Sequence, residues 1–246
     1  MERKNTTTTE KELSEHATKY VQQHKKEIIK KFIPKDISPE KKKAVSIFMA
    51  GSPGAGKTEL SKRLINTLEK GSYGKIIRID PDDIREMLPG YTGNNSYLFQ
   101  KAVSRGVEKI QDTALRKNIN FLLDGTLSNY NKAQTNIDRS LAKNRFVIIM
   151  YVYLDPFIAW EITRARELKE NRHIPKDAFI KHLFNAQKTV ALLKKKYGSK
   201  LEILLAHKKS IDRINNFILV ENIEDIDKYI TIKHNSDSLQ KNLPND

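Results

Sequence analysis

The chain has 246 residues, 38% hydrophobic and 30% charged, with a formal net charge of +15. That is enough for one large α/β domain with short additions and a sizeable core. It contains no cysteine, which excludes disulfides and thiolate metal sites, and no apolar run of about 18 residues that would cross a bilayer. The first residues, Met1-Glu2-Arg3-Lys4-Asn5, form no apolar segment of the secretory kind, so a cytoplasmic protein is expected. The lysines are spread along the chain and interleaved with acids. A solvated basic surface therefore explains the charge better than a nucleic-acid tract, and a basic cleft for an anionic substrate is compatible with either.

Residues 1–8 read as disordered. Thr9-Glu10-Lys11-Glu12 has the form of a capping box, and a helix is expected from there to about Phe32. Leu13, Ala17, Tyr20, Val21, Ile28 and Phe32 fall on one face of it. Pro34 ends the helix, and a polar connector with Pro39 runs to Lys43. Residues 1–43 are thus read as a helix and linker, residues 44–233 as the main domain, and residues 234–246 as a disordered tail. Two roles are open to the helix. It completes the core, which is the simpler expectation, or it reaches a site nearby and blocks it in cis.

The first strand, residues 44–49, leads into Gly51-Ser52-Pro53-Gly54-Ala55-Gly56-Lys57-Thr58. A helical pattern with Leu60, Leu64 and Leu68 follows. Strand, glycine loop and helix in that order are the context of a phosphate-binding loop. The glycines let backbone N–H groups turn around a phosphate chain, and the helix N-terminus adds partial positive charge. Lys57 is expected on the β- and γ-phosphates of ATP, and the Thr58 hydroxyl on Mg2+.

A second strand, residues 75–80, runs into Asp80-Pro81-Asp82-Asp83 and a short helix to Met87. A long helix is expected over 96–117 and a third strand over 119–124, with Gly125-Thr126 at its tip. A helix over 132–143 precedes a fourth strand, 146–154, whose unbroken apolar character marks burial on both faces. Helices over 156–168 and 177–197 flank a charged break. Late strands are expected at 201–205 and 217–220, and a helix at 223–230. The alternation predicts an α/β fold, a mostly parallel sheet of about five to six strands with helices on both faces. Ligands in such sheets sit beyond the carboxyl ends of the strands.

Those ends carry the candidate chemistry. Asp82 is the candidate base that accepts a hydroxyl proton beside the γ-phosphate, and Asp80 is the candidate helix cap. Asp124 is placed to hold magnesium through water or to touch substrate. Arg164, Arg166 and Arg172 flank the charged break, where guanidinium groups suit a transferring phosphoryl group. Solvated helix-end arginines are the plainer alternative. Glu108, taken alone, reads as a solvated helical glutamate, and His173 as a surface residue.

Assembled, these residues resemble the zeta toxin family of P-loop kinases over roughly residues 44–205. Gly51 to Thr58 is similar to the family's phosphate loop, Ile79-Asp80-Pro81-Asp82 to its I-D-x-D segment, and Leu123-Asp124-Gly125-Thr126 to its acidic-G-T strand end. Ile162-Thr163-Arg164 and Asn171-Arg172-His173-Ile174-Pro175-Lys176 resemble its two lid segments. The resemblance implies phosphorylation of UDP-N-acetylglucosamine on the sugar with ATP and Mg2+. It implies Asp82 as base, Lys57, Arg164 and Arg172 on the transferred group, and Glu108, Asp124 and Thr126 toward the nucleotide-sugar. It also implies an antitoxin protein whose helix blocks the nucleotide site. The chain departs from the family at Asp124, where glutamate is common, and at Ser128, where an arginine is usual. The lid arginines are also closer together. Two other readings remain from the sequence: another small-molecule or polynucleotide kinase, and a nucleotide-dependent switch or binding module.

Overall fold

Short runs rich in β-branched and aromatic residues pair as strands, and the longer 3.6-period stretches between them cover both faces as helices. The computed structural model describes residues 8–71, 74–170, 173–208, 217–220, 223–230 and 233–244. Six strands, β1 (Val45–Ala50), β2 (Ile76–Ile79), β3 (Asn120–Leu123), β4 (Phe146–Leu154), β5 (Glu202–Lys208) and β6 (Phe217–Val220), form one sheet in the order β2-β3-β1-β4-β5-β6. The first five are parallel to their neighbours, and β6 runs antiparallel to β5. The expected mostly parallel α/β sheet is therefore what forms. From β1 the chain crosses to β2 and returns through β3, and β4 and β5 are then added on the other side. This reversal places the topological switch at the carboxyl end of β1, where a crevice opens.

Beneath one face lie α1 (Thr8–Gln23), α2 (Lys25–Phe32), α5 (Gln100–Arg116) and α6 (Tyr130–Leu141). On the other lie α3 (Lys57–Lys70), α7 (Pro156–Glu170), the first half of α8 (Lys176–Tyr197) and α9 (Ser236–Asn242). A short helix, α4 (Pro81–Arg85), follows β2. Strand β1 is buried along its whole length because β3 and β4 flank it and helices cover both faces. Arg145 braces its lower end from the turn before β4. It is buried, and donates to Ser46 Oγ and to the carbonyls of Val45 and Ile119, each at 2.7 Å.

Four expectations are corrected. The N-terminal helix is two helices, broken at His24, whose backbone leaves the helical region (φ −98°, ψ 20°). Within the described residues it runs from Thr8, so Thr9 is itself helical and does not cap it. Ala17, Val21, Ile28 and Phe32 are buried in the core against α5. Packing on the core is thus the role the pair takes, and no residue of α1 or α2 reaches the site cavity described below, so inhibition in cis has no contact to act through. Residues 223–230 contain only a single 3-10 turn, Ile226–Lys228. The tail expected to be disordered carries α9, whose Leu239 is buried, as is Leu243 just after it. Lys176 Nζ donates to the Gln240 and Leu243 carbonyls at the end of α9 (3.1 and 3.3 Å), and Trp160 Nε1 donates to Pro244 (3.2 Å). A cation on the last-turn carbonyls satisfies acceptors the helix cannot, which is why so short a helix holds.

Candidate active site

The loop after β1 closes on itself because three glycines take positive φ: Gly51 at 134°, Gly54 at 72° and Gly56 at 89°. The space is as restrictive as the backbone. A Cβ at Gly51 would stand 2.3 Å from the Val152 carbonyl oxygen, and one at Gly54 2.0 Å from that of Ala159. Strand β4 and helix α7 therefore press the loop from behind, and only glycine lets it wrap. Lys57 opens α3 and lies back across the loop, donating to the Ser52 (2.6 Å) and Gly51 (3.2 Å) carbonyls. Its ammonium thus already sits over the concavity that the loop makes. Thr58 follows it on the first turn. Pro53, Gly54, Gly56, Lys57 and Thr58 form one end of a cavity of about 900 Å³.

At the end of β2, Asp80 takes the capping role expected of it, its Oδ1 accepting from the Asp82 N–H at 2.8 Å. Arg78, which belongs to no motif in the sequence, organises this corner. Its guanidinium bonds Asp124 Oδ2 through Nε (3.1 Å) and Nη2 (2.7 Å), pairs with Asp80 through Nη2, and reaches Asp83 at 3.3 Å. A charged residue inside the apolar run Ile76-Ile77-Arg78-Ile79 was the available signal. Burial acts to lower the Arg78 pKa, but the Asp80, Asp124 and Asp83 carboxylates prevail and hold it above its ordinary value. Asp80 is pushed up to about 6, chiefly by burial and against the pull of Arg78. Ser61 Oγ, one turn into α3, lies 2.8 Å from Asp124 Oδ2 and 2.9 Å from the Thr58 carbonyl, and so joins the phosphate loop to this cluster.

Asp82 stands on the cavity wall, paired with the buried Arg85, whose other nitrogen donates to Gln100 Oε1 at 3.2 Å. Helix α5 supplies a polar stripe to the same cavity: Gln100, Ser104, Glu108, Gln111 and Asp112 recur at helical spacing, with Val103 and Val107 among them. Glu108 is therefore a cavity residue, exposed as its plain reading expects but facing this cavity. Across from it, α6 contributes Lys132, which reaches Ser104, and Arg139, which pairs with Asp112 and donates to Gln111 at 3.3 Å. Neither cation stands out in the sequence, because on their own helix they look like ordinary surface charges.

Asp124, Gly125 and Thr126 complete the wall at the tip of β3. The Thr126 carbonyl accepts from Gly51 N–H (3.2 Å), tying that tip to the phosphate loop. Its hydroxyl starts a chain through Ser128 (2.9 Å) to His182 Nδ1 (2.8 Å) on α8. Of the arginines after β4, Arg166 and not Arg164 lines the cavity, with Thr163 and Ile174 beside it. Arg164 is half-buried and lies off that wall, and Arg172 lies outside the described residues. The structure thus brings together Lys57, Thr58, Asp82, Glu108, Asp124 and Thr126 from separate parts of the chain. Among the described residues no cluster of His, Asp and Glu forms a metal site on its own.

A five-strand parallel sheet with a glycine loop at its switch point, followed by a lysine and a threonine at a helix start, defines the P-loop kinase fold. A sequence model described as zeta toxin matches residues 27–217, and the chain belongs to the zeta toxin family, whose members are ATP-dependent kinases. Among solved structures, it is similar to a chain of the PezAT chromosomal toxin–antitoxin system of Streptococcus pneumoniae, at 18% identity and a TM-score of 0.61, over 97% of this chain and 89% of that one. It is also similar to a chain of the AvrRxo1-ORF1:AvrRxo1-ORF2 complex, at 14% identity and a TM-score of 0.60, over 89% of this chain and 70% of that one. A form of that complex solved with ATP gives a TM-score of 0.58 over 96% and 74% at 14% identity. No curated protein sequence matches.

Proposed function

We propose that this protein transfers the γ-phosphate of ATP to a sugar hydroxyl of UDP-N-acetylglucosamine or a related nucleotide-sugar. The observation that carries this reading is one continuous cavity, with the phosphate loop at one end, Asp82 on its wall and a long polar arm between α5 and α6. A simple nucleotide switch has no use for that arm. The loop suits a triphosphate: its crowded glycine backbone leaves room for phosphate oxygens and none for a side chain. Lys57 then exchanges the loop carbonyls for phosphate oxygens. The Thr58 hydroxyl and the Asp80 and Asp124 carboxylates are hard oxygen donors of the kind magnesium takes, and Thr58 is assigned to hold the ion. When bound, the ion neutralises phosphate charge.

Asp82 accepts the proton of the attacking hydroxyl, and Arg85 holds its carboxylate toward the cavity. The new bond forms between the hydroxyl oxygen and the γ-phosphorus, the bond to the β–γ bridging oxygen breaks, and ADP leaves. The wall residue Arg166 offsets the charge that develops on the transferred group, and the same role is proposed for Arg164 and Arg172 on the family resemblance, Arg164 having to turn toward the cavity to take it. Glu108, Asp124 and Thr126 orient the sugar. The PezAT relative is a toxin–antitoxin system, and an antitoxin that covers the cavity mouth is proposed as the partner here. Incubation with ATP, magnesium and a panel of nucleotide-sugars tests the reading by mass spectrometry. A product heavier by about 80 Da supports it, provided that Lys57→Ala abolishes the product. Turnover of an oligonucleotide end in place of every nucleotide-sugar would favour a polynucleotide kinase instead.

A further inference from the structure

Among the described residues, two buried side-chain polar atoms have no hydrogen-bond partner, Arg85 Nε and Gln111 Nε2. Both residues belong to the wall of the same cavity. Buried donors are nearly always paired, so two orphans that share one cavity point to a ligand that completes them. Gln111 is fully buried, and its amide orientation is fixed. Oε1 must face Arg139, whose Nη1 donates to it at 3.3 Å. The NH2 end is left as a donor with no acceptor. Arg139 is itself held by Asp112, and Lys132 stands nearby on Ser104. The recess is therefore rich in hydrogen-bond donors, its cations Lys132 and Arg139 balanced by Glu108 and Asp112.

Its distance from the reaction is set by α5. Arg85 bonds Gln100 at the start of that helix, and Gln111 lies eleven residues further on. At 1.5 Å per residue Gln100 and Gln111 are about 16 Å apart along the helix, which sets the scale of the span between the two orphan donors. That is longer than a sugar ring and comparable to an extended nucleotide-sugar.

We propose that Gln111 is a specificity-determining residue for the phosphoryl acceptor. Its Nε2–H donates to an acceptor oxygen, a carbonyl or a phosphate oxygen, at the end of the molecule remote from the transferred phosphate. This rests on the kinase reading above. A site built to donate a buried hydrogen bond rejects a molecule that lacks the matching acceptor far more strongly than an apolar pocket rejects a misfit, because the mismatch leaves the donor unpaired. Arg85 Nε plays the matching part at the near end, beside Asp82.

Two variants of the full chain test it. Gln111→Glu keeps an oxygen toward Arg139 and replaces the N–H by a second acceptor. Gln111→Leu removes both. In steady-state assays with ATP, magnesium and UDP-N-acetylglucosamine, Gln111→Glu is expected to raise the KM for the sugar nucleotide by about ten-fold or more while the KM for ATP stays within about two-fold. Without ligand, Gln111→Leu is expected to melt no lower than the wild type, because an unpaired buried donor is removed and Arg139 still has Asp112. An unchanged acceptor KM in both folded variants overturns the proposal, and so does a fall of several degrees in the Gln111→Leu melting temperature, which would make the amide a structural group. A wild type that leaves UDP-N-acetylglucosamine unphosphorylated refutes that choice of acceptor, and the ligand-free melting comparison then still decides on Gln111.

Discussion

At the residue scale, the corner beyond β2 is a balance of two guanidinium groups against four carboxylates: Arg78 faces Asp80, Asp83 and Asp124, and Arg85 takes Asp82. That division gives the two aspartates the separate roles expected of them from the sequence. Both line the cavity, but Asp80 is spent on the helix cap and on Arg78, whereas Asp82 pairs with Arg85 at its edge. Asp82→Asn is expected to leave ATP binding intact and to lower kcat by about 10²-fold or more. A nearly full rate in that variant, with a dead Asp83→Asn, would move the base by one position. Asp80 also sets a pH dependence. Its carboxyl titrates near 3.8 when unfolded and at about 6 when folded. Between those values the native chain holds a proton that the unfolded chain has lost. This contribution to stability is thus complete below 3.8 and is lost as pH rises through 6. Asp80→Asn keeps a capping oxygen and cannot ionise, so it should flatten that decline, by an amount of order 1–3 kcal/mol. Urea unfolding across this pH range checks it, and parallel profiles for the two proteins would show that Asp80 does not titrate as argued.

At the scale of elements, the N-terminal pair and α5 act as one unit. Helix α1 covers the turn Ser96–Phe99 that leads into α5, with Ser14 Oγ donating to the Leu98 carbonyl at 2.8 Å. The outer side of α5 takes Val21, Ile28 and Phe32 into the core, and its inner side lines the cavity. Ile28→Ala should therefore destabilise the protein by about 2–4 kcal/mol, the cost of a large-to-small change in a packed core. Chemical denaturation measures it, and a loss below about 0.5 kcal/mol would mean that α2 is not seated as described. The strands and most helices were legible because periodicity and apolar runs are local signals. So was the phosphate loop, whose glycine spacing states its geometry directly. The break at His24 and the folding of α9 were not, since each depends on a distant partner: the packing of α1 and α2 on α5, and the Lys176 ammonium on the α9 carbonyls. Arg78, Gln111 and Arg139 stayed hidden for the same reason. Their meaning lies in which carboxylates and amides the fold sets against them.

At the scale of the whole molecule, the sheet order places the loop after β1, the aspartates after β2 and the tip of β3 around one crevice, and α5 and α6 extend it sideways. The net charge of +15 surrounds a cavity whose proposed ligands, a triphosphate and a nucleotide-sugar, are both anions, which favours their approach. The central claim is that this one cavity joins the two in phosphoryl transfer. Phosphorus NMR of the full chain with ATP, magnesium and UDP-N-acetylglucosamine tests it most directly. The account predicts a new phosphomonoester resonance coupled to a sugar proton, growing in step with ADP. Formation of ADP and inorganic phosphate alone, with the nucleotide-sugar unchanged, would contradict it.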